Sequence, residues 1–189
     1  ETFSVAEHCR RAIERVMTRG CGAHGLLCIG GGDWNDGFDA VGGESEWLSF
    51  FFLLIAPRWA AIAEELGLDC AELVAFCDTL REASNAAWDG AWFRRGYYAS
   101  GAPLGAAENA ECRIDSVAQS FAALSGAADP ERTKTALRSA AEQLFDRKNA
   151  LLRLFAPPFA GAEKPGYLVS YGPGFRENGG QYTHGALWL

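Results

Sequence analysis

Trp47-Leu48-Ser49-Phe50-Phe51-Phe52-Leu53-Leu54-Ile55 is apolar at every position but Ser49. A helix made of such a run has no polar face, so it must be surrounded by other elements and belongs at the centre of a large fold. Pro57-Arg58 follows and is expected to interrupt the helix, which leaves the run shorter than the roughly 20 clean residues of a membrane span. The reading is therefore a core helix that starts near Ser45.

Helical punctuation recurs on both sides of it. Upstream, Val5, Cys9, Ile13 and Val16 recur at helical spacing between Ser4 and Arg19, and Gly20 is placed to stop the helix. Downstream, Asp69 and Glu72 form a capping-box pattern ahead of a stripe of Leu73, Phe76, Cys77 and Leu80, which fades before Trp88. A fourth helix is predicted from Asp115 to Gly126. A fifth has Asp129 as N-cap, Pro130 at its first position, and a body reaching about Phe145. A sixth starts near Tyr182 and is still apolar at Leu189. With Glu1 in place of Met, this reads as a fragment.

The helices are joined by long Gly-rich connections at 21–43, 88–111 and 151–180. These are too rich in Trp, Tyr and Phe to be disordered, so the helices supply a scaffold and the loops a site. Only Ala91 to Tyr98 reads as strand. Its aromatics alternate with arginines as on a two-faced hairpin, and Arg94 is the arginine assigned to sugar binding.

The 189 residues are 49% hydrophobic and 22% charged, enough for one domain with a sizeable core. A net charge of −7 without a run of Lys or Arg excludes a nucleic-acid partner, and the start of the chain has no signal-peptide pattern. The six cysteines show no CxxC spacing and read as reduced structural thiols. His8 and His24 read as structural histidines.

Chemistry concentrates in two places. Gly30-Gly31-Gly32-Asp33-Trp34-Asn35-Asp36-Gly37-Phe38-Asp39 sets three carboxylates around one tryptophan, an apolar face for a sugar ring beside acceptors for its hydroxyls. Carboxylates this close repel one another and favour a retained proton. A polar turn ahead of a helix is the plain alternative. A calcium loop would use Asp33, Asn35, Asp39 and Glu44, but Phe38 stands where that loop needs glycine, so no metal is expected. The second place is Tyr171 to His184, dense in polar groups and followed by a helix start that suits an anion.

Gly32-Asp33-Trp34-Asn35-Asp36-Gly37, Trp88 to Arg95, Arg113 to Ser120 and Arg176 to His184 stand in the order found in glycoside hydrolase family 94. The chain resembles this family of inverting β-glucan phosphorylases, and within it the phosphorylase-like C-terminal domain of cyclic β-1,2-glucan synthetases. The resemblance implies an all-α, partial (α/α)6 barrel with long Gly-rich loops and a short β-hairpin, residues 1–189 being roughly its later half. It implies phosphorolysis or synthesis of β-glucosidic bonds, with Asp36 as general acid and His184 as a phosphate ligand. Asp33, Trp34, Glu177 and Gln181 would hold the two sugars.

Inorganic phosphate is then the co-substrate, and no cofactor is called for. The rest of the barrel and an N-terminal β-sandwich would lie outside this chain, which by itself would be inactive. The family often forms homodimers, and a cytoplasmic location is expected, as the cytoplasmic part of an inner-membrane synthetase if that is the parent. Two other readings stay open: a non-catalytic glucan-binding or chain-length-control module, and an inverting (α/α)6 hydrolase.

Overall fold

The computed structural model describes residues 2–161 and 163–189. Helices dominate: α1 is Val5–Arg19, α2 Glu46–Glu65, α3 Ala71–Ala86, α4 Ser116–Ser125, α5 Pro130–Leu144 and α6 Thr183–Ala186. Helix α2 packs on both α3 and α4, α4 on α5, and α1 and α6 make lesser contacts with α2 and α4.

Local chemistry sets most boundaries. Ser4 caps α1 through Glu7 N (3.2 Å), Ser45 caps α2 through Leu48 N (3.1 Å), and Asp115 caps α4 through Val117 N (2.7 Å). Asp129 caps α5 through the amides of Glu131 and Arg132. Gly126 ends α4 in the left-handed conformation, φ 64°, that glycine adopts without penalty.

Three boundaries differ from the sequence reading. Pro57 does not interrupt α2, which runs on to Glu65. Its missing N–H deprives only the Leu53 carbonyl, its ring faces outward, and burial of Ala56, Ala60 and Ala63 carries the helix past it. The helix therefore does meet the length and composition of a membrane span, yet Phe50, Phe52 and Leu53 are enclosed by its neighbours. The capping box at Asp69 and Glu72 does not form: Cys70 occupies the cap position, and Asp69 bonds the Ala71 amide instead. Helix α6 is one turn long and stops at Ala186, with Leu187 as its C-cap.

Among the described residues, seven two-residue strands complete the fold. Glu44–Ser45 (β1), Gly96–Tyr97 (β2) and Pro103–Leu104 (β3) form an antiparallel sheet in the order β1-β2-β3. Ile114–Asp115 (β4) pairs with Phe155–Ala156 (β7), and Phe145–Asp146 (β5) with Leu151–Leu152 (β6). Of the predicted strand from Ala91 to Tyr98 only Gly96–Tyr97 is strand, and it pairs with β3 beyond the predicted stretch and with β1 from the first Gly-rich connection. The expected two-faced pattern fails, because Arg95 is 1% exposed beside buried Trp92, Phe93 and Tyr97. Gln119 of α4 ties this segment down: its amide accepts from Phe93 N and donates to Phe93 O, both at 2.9 Å. All six cysteines are free thiols. His24 bonds Glu44 (2.6 Å) and stacks on Tyr97, whereas His8 is exposed against Phe3.

At the start of α2 the Glu46 side chain is fully buried, and neither carboxylate oxygen has a hydrogen-bond partner of good geometry. Desolvation raises its pKa well above the ordinary value; nearby Ser84 and Arg95 pull it back only in part. The folded protein therefore keeps a proton that the unfolded chain releases, and stability falls as pH rises from the ordinary Glu value through the raised one. Glu46→Gln removes this dependence and stabilises the protein by about 1–3 kcal/mol above neutrality. Urea melts at acidic and alkaline pH test this, and the same loss of stability with pH in wild type and variant would refute it.

Candidate active site

The Asp33 to Asp39 turn is built on its own polar side chains. Asp33 Oδ1 accepts from Asn35 N (3.0 Å), and Asn35 Oδ1 accepts from Gly37 N (3.0 Å), which winds Asp36–Phe38 into one 3-10 turn with Asp36 exposed at its start. Gly37 is required where it stands, since a Cβ there would lie 2.5 Å from that of Leu168. The turn is also held from below: Ala40 N donates to Pro165 O (3.1 Å) and Tyr167 N to Asp39 Oδ1 (2.9 Å).

Trp34, Asp36, Glu177, Tyr182 and His184 line one hollow of about 70 Å³. Trp34 Nε1 donates to His184 Nδ1 at 3.3 Å across 150 positions of sequence. An indole N–H can only donate, so Nδ1 is the acceptor and the neutral imidazole carries its proton on Nε2, available to donate to a ligand. Trp188 fixes both rings, with centroids 4.3 Å from His184 and 5.5 Å from Trp34, and Phe121 of α4 backs Trp188. Gly185 allows this closeness, because a Cβ there would meet Trp34 at 3.0 Å. Glu177 is 16% exposed; its buried Oε2 has no hydrogen bond and lies 3.4 Å from the Arg176 guanidinium.

Four of the seven residues assigned from sequence meet here: Trp34, Asp36, Glu177 and His184. The other three do not line the hollow. Asp33 turns inward to a bidentate pair with Arg95 and also accepts from Ser45 Oγ at 2.6 Å. Arg94 pairs with Asp89. Gln181 accepts from Leu152 N at 3.1 Å. Asp33 and Asp39 thus spend their charge elsewhere, and Glu177 is the carboxylate that shares the hollow with Asp36.

Sequence reasoning missed Tyr182 as a wall, Trp188 as the ring that holds Trp34 and His184, and Arg95 as the group beneath the turn. The run from Ala91 to Tyr98 does not say which of Arg94 and Arg95 lies inside. Among the described residues, no three His, Cys, Asp or Glu side chains come together as a metal site.

The same chain matches known proteins along its whole length. It is 44% identical over 200 residues to cyclic beta-(1,2)-glucan synthase NdvB of Rhizobium meliloti, covering all of this chain and 7% of that protein. It is 32% identical to solabiose phosphorylase of Paenibacillus borealis and 32% identical to N,N'-diacetylchitobiose phosphorylase of Vibrio proteolyticus. In each case 98% of the chain is covered, against 25% and 24% of the relative. The chain thus spans a quarter or less of the length of these relatives. Residues 1–189 match the catalytic domain of the Glycosyl hydrolase 94 superfamily, and the chain belongs to that family.

Proposed function

We propose that the chain carries the acid side of the active site of an inverting phosphorylase acting on β-1,2-glucosidic bonds, and that its helices are consecutive members of an (α/α)6 barrel completed by other parts of the protein. The carrying observation is the meeting of Asp36 and His184 in one hollow, with Trp34 hydrogen-bonded to the imidazole.

In this reading the protonated Asp36 carboxyl gives its hydrogen to the glycosidic oxygen as the bond to the anomeric carbon breaks. A phosphate oxygen forms the new bond from the opposite face and leaves α-glucose 1-phosphate. One catalytic carboxylate suffices, because an inverting hydrolase needs a second only to activate water and phosphate is already a nucleophile. His184 Nε2–H donates to the phosphate, Trp34 offers its face to a sugar, and Glu177 accepts from sugar hydroxyls. Asp33 positions the turn through Arg95 and does not touch substrate. Inorganic phosphate is the only co-substrate and no cofactor takes part.

Phosphate dependence tests the reading. In the full-length protein, release of glucose 1-phosphate from a linear β-1,2-glucan should rise with phosphate and fall at least about 100-fold when phosphate is withheld. Release of free glucose at an undiminished rate without phosphate would replace the phosphorylase by an inverting hydrolase.

A further inference from the structure

One rim of the hollow continues into an exposed aromatic ledge. Residues Tyr167–Ser170 form a 3-10 turn, and the chain then winds through Tyr171 and Phe175 to Arg176 before reaching Glu177. Tyr167 is 46% exposed and Phe175 70%, and the Arg176 side chain is 64% exposed. The Tyr167 and Tyr171 rings meet edge to face at 6.3 Å, and the Arg176 guanidinium lies 4.6 Å over the Tyr171 ring.

The ledge is anchored at both ends to the walls of the hollow. At one end Leu168 abuts Gly37 and the Tyr167 amide bonds Asp39, which sets Tyr167 against the turn that bears Asp36. Desolvation there raises the pKa of the Tyr167 phenol. At the other end buried Asn178 donates to Tyr171 O (2.9 Å), accepts from Phe159 N (2.8 Å) and receives the Gly174 amide on its carbonyl (2.9 Å). Arg176 is held at φ 48°, a left-handed conformation unfavourable for arginine, while its side chain stays in solvent. The backbone is fixed, while Tyr167, Phe175 and Arg176 stay exposed and Tyr171 is half-buried.

We propose that Tyr167, Tyr171 and Arg176 form a subsite for a sugar of the glucan chain beyond the two that flank the cleaved bond, so that long chains are preferred to the disaccharide. A pyranose presents C–H groups on its face and hydroxyls at its edge; the tyrosine rings suit the first, and the arginine and phenol groups the second. This inference rests on the phosphorylase reading for its position in the reaction.

The test uses the full-length protein with the β-1,2-linked disaccharide and a linear β-1,2-linked hexasaccharide. In Tyr167→Ala the ratio of kcat/KM on the hexasaccharide to that on the disaccharide falls about tenfold, and Tyr167→Phe, which keeps the ring, restores most of it. The exposed side chain makes the variant's folding secure, and a thermal melt checks this. Hexasaccharide affinity without phosphate is measured by calorimetry in parallel. An unchanged ratio with normal turnover overturns the ledge and leaves the phosphorylase reading standing. Absent phosphorolysis in wild type, with hexasaccharide affinity still lowered about tenfold by Tyr167→Ala, keeps the ledge and overturns that reading.

Discussion

Replacing Asp36 with Asn in the full-length protein lowers kcat for phosphorolysis by about 10²–10⁴-fold, the usual worth of a positioned general acid, and lowers synthesis from glucose 1-phosphate by the same factor. Both directions fall together because the carboxyl that gives a proton to the leaving oxygen must take one from the attacking hydroxyl in reverse. The fold survives, since Asp36 is exposed and the capping bond of its turn is made by Asn35. Substrate binding is little affected, so the loss sits in kcat and not in KM. Initial rates in both directions, with the melting temperature as control, decide the matter. A variant that keeps more than about a tenth of either rate would remove Asp36 from the role of acid.

The parts of this architecture that were legible in the sequence are those fixed by neighbours along the chain. Asp129 caps the helix it was expected to cap, and Ser4, Ser45 and Asp115, near which helices were expected to start, are the caps of those helices, because a cap bond spans two or three residues and needs no tertiary partner. Pro57 misled because its local penalty is outweighed by burial of the helix on both sides of it. Apart from Gly96–Tyr97 the strands were not read: each is two residues long, and several exist through partners far off in sequence, such as Glu44 with Tyr97 and Ile114 with Ala156.

The site divides in the same way. Asp36, Trp34, Glu177 and His184 were singled out from two motifs and a family resemblance. Their meeting depends on Trp188 packing between Trp34 and Phe121, which no spacing foretells. Asp33 went to the substrate in the sequence reading on the family resemblance, and Arg94 on the alternation of aromatics with arginines. Their counter-ions, Arg95 and Asp89, appear only once the chain is folded.

Arg95 leads to the largest expected effect on stability. Its guanidinium is 1% exposed, pairs with Asp33, donates to Ser45 Oγ at 3.0 Å and lies 3.5 Å from the Asp115 carboxylate. It thus links three structural devices: the turn that presents Asp36, the cap of α2 and the cap of α4. Two carboxylates share one cation, and burial already pushes the Asp115 carboxyl above its ordinary range. Arg95→Met preserves most of the volume but strands both carboxylates in the core, and destabilises the protein by about 3–5 kcal/mol, the usual cost of breaking a buried ion pair from one side. Adding Asp33→Asn and Asp115→Asn to it removes the stranded charges, and stability should recover by more than half while activity stays low, because the turn has lost its anchor. Chemical denaturation of the single and triple variants measures this. If Arg95→Met cost less than about 1 kcal/mol, the network would be an ordinary surface-type pairing and not the base of the site.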